Sequence, residues 1–261
     1  LPEADLALLR DAVAEAADIA LGFTGPDARR WDKPDDAGPV TEADLAVNKT
    51  LRTRLRAARP AYGWMSEEDP DDGSCAGAAR IFIVDPIDGT RSFIDGSGTW
   101  AISVAVVEHG APAAGVVMLP AREMVYAAAR GAGATLNGDA LACSTRPVLA
   151  GAELLVPRVA MNPDYWPGGM PQVTRHHRPS LAYRLCLAAQ GRFDGMLTLR
   201  DAWEWDIAAG ALIAAEAGCT VSDRNGAALA FNSTIRQTPG VMIAPPRLHA
   251  ALARARGVGA D

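Results

Sequence analysis

The stretch IFIVDPIDGTRSF, residues 81–93, runs four apolar residues into two carboxylates, a proline and a glycine. Asp85 stands at the C-terminal end of a buried-strand pattern, and Asp88 stands where a short helix can begin. Gly89 and Thr90 then offer free backbone N–H groups at that helix start, a position that favours an anion. Thr90 adds a hydroxyl. Pro86 restricts the turn, and Gly89 allows the backbone to approach a ligand closely. Two carboxylates three residues apart repel each other unless positive charge lies between or beside them. Magnesium meets that need, because it takes hard oxygen ligands and usually keeps water and substrate phosphate in its shell. The stretch therefore points to a metal and phosphate site.

One carboxylate doublet is too small for a pair of magnesium ions. Two other segments carry acids beside apolar runs: Glu67-Glu68, and Asp206 at the first turn of a mostly apolar helix. Each has an ordinary explanation alone. Asp206 and Asp44 could be helix-start acids, Glu67 and Glu68 a solvated loop, and Asp85 and Asp88 turn residues. Their conjunction favours the metal reading. Zinc is poorly supported, since the candidate ligands are carboxylates rather than histidines and cysteines. A dinucleotide-binding domain is poorly supported too, because RGAGATLNG (130–138) lacks the G-x-G-x-x-G spacing.

Over nearly its full length the chain resembles the magnesium-dependent inositol monophosphatase superfamily. VDPIDGTRSF (84–93) matches that family's aspartate-proline-x-aspartate-glycine-threonine signature, and WEWDIAAGALIAAEAG (203–218) matches its tryptophan-aspartate signature. PVTEAD (39–44) and WMSEE (64–68) match its two N-terminal elements in order; Ser66 stands where many members have glycine. The resemblance implies a layered αβαβα sugar-phosphatase fold of α+β and α/β character. It implies that Glu67, Asp85 and the Ile87 carbonyl hold one magnesium and that Asp85, Asp88 and Asp206 hold a second. A third ion, where family members have one, sits loosely near Glu67. Asp44 and Thr90, with Glu67, would position and help deprotonate the attacking water, and the N–H groups of Gly89 and Thr90 would hold phosphate. Two such ions can clamp both ends of an in-line displacement, so direct hydrolysis without a phosphoenzyme is expected.

The elements that must position these residues follow from pattern. Leu6 to Leu21 reads as an amphipathic helix, with Leu6, Leu9, Val13, Ala16 and Ala20 at helical spacing. Trp31 is the one large anchor in the polar stretch 29–44. Thr41 caps a second helix over Glu42 to Ala58, with Asp44 in a capping-box position. Leu45, Asn48, Leu51 and Leu55 are assigned to its buried face. Strands are expected over Arg80 to Val84, Trp100 to Glu108, Ala114 to Leu119 and Glu123 to Ala129, an antiparallel meander covered by helices. Beyond about residue 140 the order alternates. A strand is expected over 151–157, a helix from Ser180 to Gln190 and a strand over Met196 to Leu199. A buried helix over Glu204 to Ala217, a strand over Val241 to Ala244 and a helix from Arg247 complete the chain. This divides it into an N-terminal α+β part, 1–140, carrying most ligands, and a C-terminal α/β part, 141–261, carrying Asp206 and substrate recognition.

The 261 residues carry a formal net charge of −6, which argues against a broad nucleic-acid surface. A small phosphorylated metabolite is the expected partner, and a homodimer is common in the resembled family. The four cysteines are spread out, so reduced thiols are expected. No signal peptide or apolar run long enough to span a bilayer is recognised, which suggests a cytoplasmic location. The substrate must meet the second part, where Arg158, Tyr183 and Arg200 are the foremost candidates among Tyr165, Trp166, Arg175, His176, His177 and Arg178. The two histidines read as a basic surface loop. The segments YGWMSEEDPDD (62–72) and SLAYRLCLAAQGRFDG (180–195) resemble the bacterial 3'(2'),5'-bisphosphate nucleotidase, or CysQ-like, branch. Conversion of 3'-phosphoadenosine 5'-phosphate to AMP is the first expectation. Inositol-1-monophosphatase is the second, and an inactive phosphate-binding homologue is the alternative of another class.

Overall fold

The computed structural model describes residues 2–23, 25–34 and 38–258. The first half runs α1 (Pro2–Leu21), β1 (Arg30–Asp32), β2 (Pro39–Thr41), α2 (Glu42–Ala58), β3 (Gly63–Ser66), β4 (Arg80–Asp88), α3 (Thr90–Ile94), β5 (Ala101–Glu108), β6 (Ala111–Leu119), β7 (Met124–Ala129), β8 (Ala134–Leu136) and β9 (Asp139–Ala140). The second runs β10 (Glu153–Leu155), β11 (Thr174–His176), α4 (Leu181–Ala189), β12 (Gly195–Thr198), β13 (Ala202–Trp203), α5 (Glu204–Glu216), β14 (Thr220–Ser222), β15 (Gln237–Thr238), β16 (Val241–Ala244) and α6 (Pro246–Ala255).

Strands β3 to β9 form a seven-stranded sheet in chain order, antiparallel except that β3 runs parallel to β4. The second sheet has the order β11-β10-β12-β16-β14 and is mixed. Helices α1 and α2 cover one face of the first sheet. Helices α4 and α5 lie between the two sheets, and α6 packs on the far side of the second. The layering is the αβαβα order expected from the resemblance.

Helix α5 can occupy the middle because it is apolar nearly all round. Its neighbours approach very closely. A Cβ at Gly115 of β6 would lie 3.0 Å from the Ala209 Cα, and one at Gly210 would lie 2.7 Å from Leu185 of α4. Its first residue, Glu204, is fully buried yet satisfied, accepting from Asn232 N at 2.6 Å and from Ser233 N and Oγ at 2.8 and 2.6 Å. That carboxylate anchors a loop.

Several sequence expectations are corrected. Helix α1 begins a turn before Leu6, since Pro2, Glu3 and Asp5 all suit a first turn. On α2 the buried stripe is Ala43, Val47, Leu51 and Leu55, while Leu45 is 42% exposed. Trp31 is not a buried anchor: it is 46% exposed on the β1–β2 hairpin. Residues 35–37 of that polar stretch lie outside the described residues. Strands β3, β11 and β14 were not anticipated, being only three or four residues long.

The correction that bears on the site is β4, which continues past Val84 to Asp88. Its register against β5 goes from Asp85↔Ser103 to Asp88↔Ala101, three residues against two. This is a bulge of one residue, and Pro86, which has no N–H to give a ladder, sits in it. Side chains alternate along a strand, so residues three apart normally face opposite ways. The extra residue returns Asp88 to the side of Asp85. Ile81, Phe82, Ile83 and Val84 are essentially fully buried, each worth roughly 1.5–3 kcal/mol. Such packing offsets the several kcal/mol that burying a carboxylate costs.

Candidate metal centre

Three elements converge on the bulge. Parallel pairing of β3 with β4 sets Ser66 opposite Val84, and Glu67 N donates to the Val84 carbonyl at 3.2 Å, so Glu67 emerges beside Asp85. From the other side, Ser103 Oγ donates to the Trp205 carbonyl at 3.2 Å, which fixes the first turn of α5 against β5. Asp206 follows directly. One oxygen each from Asp85, Asp88 and Asp206 lie within 4.8 Å of one another.

Asp85 and Asp88 are buried and Asp206 half-buried. Burial is the first reason that all three hold protons more tightly than ordinary carboxylates. For Asp85 the neighbouring charges of Glu67, Asp88 and Asp206 add to it, and for Asp206 those of Asp88 and Glu67. Asp88 is partly relieved by donors: its Oδ2 accepts from Ser180 Oγ at 2.7 Å and from Ala182 N at 2.6 Å. Ser180 is the N-cap of α4 and has φ +63°, a strained value for a residue with a side chain. An all-oxygen donor set of mutually repelling carboxylates is suited to a hard divalent cation.

Glu67 is nearby but outside the three-oxygen group. Lys33 Nζ lies 2.7 Å from Glu67 Oε1 and 2.6 Å from Glu68 Oε1. Burial lowers the Lys33 pKa, but the two carboxylates outweigh it and the net shift is upward. Burial pushes Glu68 up to about 7. Lys33 was missed in the sequence, where a lone lysine in a polar loop carries no signal. Ser66, the departure from the family pattern, has a local use: its Oγ donates to Asn48 Oδ1 at 2.7 Å and accepts from Glu68 N at 3.3 Å.

Asp44 and Thr90 do meet. The capping box on α2 forms as expected, with Asp44 Oδ2 accepting from Thr41 N at 2.8 Å and Thr41 Oγ1 at 2.5 Å. The other oxygen, Oδ1, is 3.4 Å from Thr90 Oγ1, which also donates to the Ile87 carbonyl at 3.1 Å. Burial raises the Asp44 pKa to about 6, against the Thr41 hydrogen bonds, which lower it. Gly89 caps α3 with φ +99°, and a Cβ there would lie 3.3 Å from the Thr99 carbonyl. The N–H groups of Gly89 and Thr90 make no turn or capping hydrogen bond among the described residues.

The expected substrate residues separate. Arg200 lines a cavity of about 310 Å³ together with Tyr165, His177, Arg184 and Thr198. Arg158 is exposed and outside that lining, although its neighbours Pro157 and Val159 belong to it. Tyr183 is 3% exposed in the core, with its ring 6.4 Å from that of Tyr126, and does not line the cavity. Arg184, the next residue, does. The histidines also part: His176 ends β11 with its ring 5.0 Å from Phe193, while His177 reaches the cavity.

The sequence profile of the inositol monophosphatase family matches residues 3–258. The chain belongs to that family. This inositol monophosphatase family chain is 33% identical over 234 residues to an inositol-1-monophosphatase of Rhizobium meliloti, covering 86% of this chain and 82% of that one. It is 33% identical over 249 residues to a histidinol-phosphatase of Mycobacterium tuberculosis, covering 90% and 94%. It is 30% identical over 203 residues to the 3'(2'),5'-bisphosphate nucleotidase CysQ of Escherichia coli K12, covering 75% and 80%. The crystal structure of extragenic suppressor protein suhB from Bartonella henselae superposes with a TM-score of 0.82 at 26% identity, covering 98% and 99%. The family fold is thus confirmed, and the chain is a phosphoric monoester hydrolase of a generally magnesium-dependent family. Among the described residues no helix is long and apolar enough to cross a membrane.

Proposed function

We propose that this family member is a magnesium-dependent phosphomonoesterase whose preferred substrate is a nucleoside 3',5'-bisphosphate such as 3'-phosphoadenosine 5'-phosphate. The observation that carries the metal-dependent part is the three-carboxylate cluster of Asp85, Asp88 and Asp206. With Glu67 and the Ile87 carbonyl, these groups would hold two magnesium ions. Bound there, magnesium supplies charge neutralisation for an incoming phosphate and Lewis acidity at the reacting oxygens. Asp44 and Thr90 orient a water, with the raised proton affinity of Asp44 suiting it to accept a proton near neutral pH. Gly89 and Thr90 present N–H groups to the phosphate. In this reading residues 1–140 supply most of the catalytic groups, and residues 141–261 supply Asp206 and the contacts to the rest of the substrate.

The preference for a nucleoside bisphosphate is supported by the CysQ relatives and by the cavity lining, which holds two arginines, a tyrosine and no carboxylate. The absence of an acid there disfavours a substrate with a cationic amine. The second reading, inositol 1-phosphate, is supported by the Rhizobium meliloti relative. Phosphate release measured in parallel from 3'-phosphoadenosine 5'-phosphate, inositol 1-phosphate and fructose 1,6-bisphosphate, with magnesium and with chelator, decides between them. The proposal expects magnesium-dependent release and the highest kcat/KM on the nucleotide. Preference for inositol 1-phosphate would favour the second reading. No release from any of them would leave a phosphate-binding homologue.

A further inference from the structure

Gly89 has no side chain by which its neighbours can grip it, so its place is set by the walls behind it. A Cβ there would lie 3.3 Å from the Thr99 carbonyl, 3.5 Å from the Trp100 Cα and 3.5 Å from the Ser180 Cβ. One wall is therefore the segment 97–100, which belongs to no helix or strand. Its two ends are tied back to α3. Ser97 N donates to the Ser92 carbonyl at 2.9 Å, and the Trp100 ring meets that of Phe93 edge-on at 5.2 Å. The middle is held from elsewhere. Arg122 Nε donates to the Gly98 carbonyl at 2.7 Å, and its Nη2 donates to Thr99 Oγ1 at 2.8 Å. Arg122 closes the one-turn helix Pro120–Arg122 after β6, where Leu119 and Pro120 are buried, so this fork stands on a rigid base. The guanidinium also lies 5.9 Å from the centroid of the Tyr183 ring, and Tyr183 N donates to Ser180 Oγ at 3.0 Å. One exposed arginine thus touches groups behind both walls of Gly89.

We propose that Arg122 is a positioning residue for the phosphomonoesterase reaction: by fixing Gly98 and Thr99 it holds the Gly89–Thr90 turn where its N–H groups meet the phosphate. The inference deepens the reading above and rests on it for the phosphate. Backbone donors stabilise an anion well only when they are already aimed, because a turn that must be ordered on binding loses that much affinity. The planar fork of arginine suits two acceptors on successive residues, whereas lysine offers a single point charge. Thr99 is 8% exposed, so its hydroxyl has little water to replace a lost donor. Arg122 itself is exposed, so replacing it buries no charge and opens no core cavity. The effect of Arg122 should be the same for every phosphomonoester, since all present the same phosphate to this turn. It should also leave the cation site alone, since Arg122 bonds to none of Asp85, Asp88 and Asp206 among the described residues.

The test compares the wild type with Arg122→Met, Arg122→Lys, Thr99→Val and the double variant Arg122→Met/Thr99→Val. Inorganic phosphate is titrated calorimetrically at saturating magnesium, and kcat and KM are measured on 3'-phosphoadenosine 5'-phosphate and on inositol 1-phosphate. A misplacement of about 1 Å can cost up to roughly 100-fold, and a loosened turn is expected to cost roughly tenfold. Arg122→Met should therefore raise the phosphate Kd about tenfold and lower kcat/KM by the same factor on both substrates, with magnesium half-saturation of the Tm response unchanged. Arg122→Lys should recover only part of the loss. Thr99→Val removes one of the two tethers, so it should give a smaller loss of the same kind, and it serves if the arginine variants do not fold. The double variant should be no worse than Arg122→Met alone, because the two residues act as one unit. An unchanged phosphate Kd would overturn the proposal. So would full recovery in Arg122→Lys, unequal losses on the two substrates, a parallel loss of magnesium affinity, or losses that multiply in the double variant. Phosphate binding that Arg122→Met weakens supports the positioning role even if neither substrate is turned over. A chain that hydrolyses both substrates but binds phosphate equally well with and without Arg122 keeps its phosphatase activity and loses the positioning role.

Discussion

The acidic end of the molecule and the basic cavity beside it place charge inside the protein by different means. Asp85 and Asp88 are set by one strand, its bulge and the packing of Ile81 to Val84 beneath them. Arg184 and Arg200 come from a helix and a loop of the second half, and only the fold brings them to one space. In the first region charges of one sign repel each other and are suited to a cation. In the second, two arginines line a cavity whose lining holds no carboxylate, which suits an anion. A phosphomonoester with a metal at one end and a second phosphate at the other would satisfy both.

Removing single carboxylates should have the largest effect. Asp88→Asn and Asp206→Asn are each expected to lower magnesium-dependent turnover by about 10³-fold on every phosphomonoester, several kcal/mol of transition-state stabilisation. Circular dichroism should show the fold retained, because each change removes a charge from a repelling cluster. Retention of turnover at saturating magnesium would disconnect the acidic end from catalysis. Arg184→Met, by contrast, should affect substrates unequally, and a uniform loss would erase the distinction between the regions.

Without metal, pH should separate the two regions through stability. Asp44, at about 6, and Glu68, at about 7, bind protons more tightly folded than unfolded, where carboxylates titrate near 4. Between about pH 4 and 7 the folded state therefore holds more protons, and stability falls as pH rises. The chelator-treated chain should show a Tm that declines across this window. Magnesium should restore the Tm, and restore it more at pH 7.5 than at pH 5. A Tm that rises with pH in chelator would contradict the assigned shifts.

Gly89→Ala should act next. It forces a Cβ onto φ +99° and brings it 3.3 Å from the Thr99 carbonyl, a cost of about 1–3 kcal/mol seen in chemical denaturation. The smallest effect belongs to Tyr183→Phe, expected to change KM less than about twofold on any substrate, since the ring packs in the core. A large KM change would return Tyr183 to the substrate surface.

The contrast also explains what could be read from the sequence. Asp85, Asp88 and Asp206 were legible because each interrupts an apolar run, and a carboxylate in that setting asks for a partner. The capping box at Thr41 and Asp44 was legible because it is closed within four residues. The continuation of β4 through Pro86 was not, since proline reads as a strand end and only pairing with β5 reveals the bulge. Leu45 was placed inward because helical spacing alone cannot say where the buried stripe of α2 is centred. Tyr183 was favoured over Arg184 because α4 is buried on all sides, so spacing does not tell which side chain reaches a cavity. An arginine inside the run SLAYRLCLAA (180–189) was the available signal. Lys33 meets Glu67 and Glu68 only through the β1–β2 hairpin, and no local pattern announces that.

The central claim is that the carboxylate cluster is a magnesium site that performs phosphomonoester hydrolysis. A magnesium titration of the chelator-treated wild-type chain tests it most directly, with Tm and phosphate release from 3'-phosphoadenosine 5'-phosphate followed on the same samples. The account predicts that both rise saturably over one range of magnesium concentration and that both responses are lost in Asp206→Asn. A Tm indifferent to magnesium, together with phosphate release that is absent or independent of it, would contradict the account.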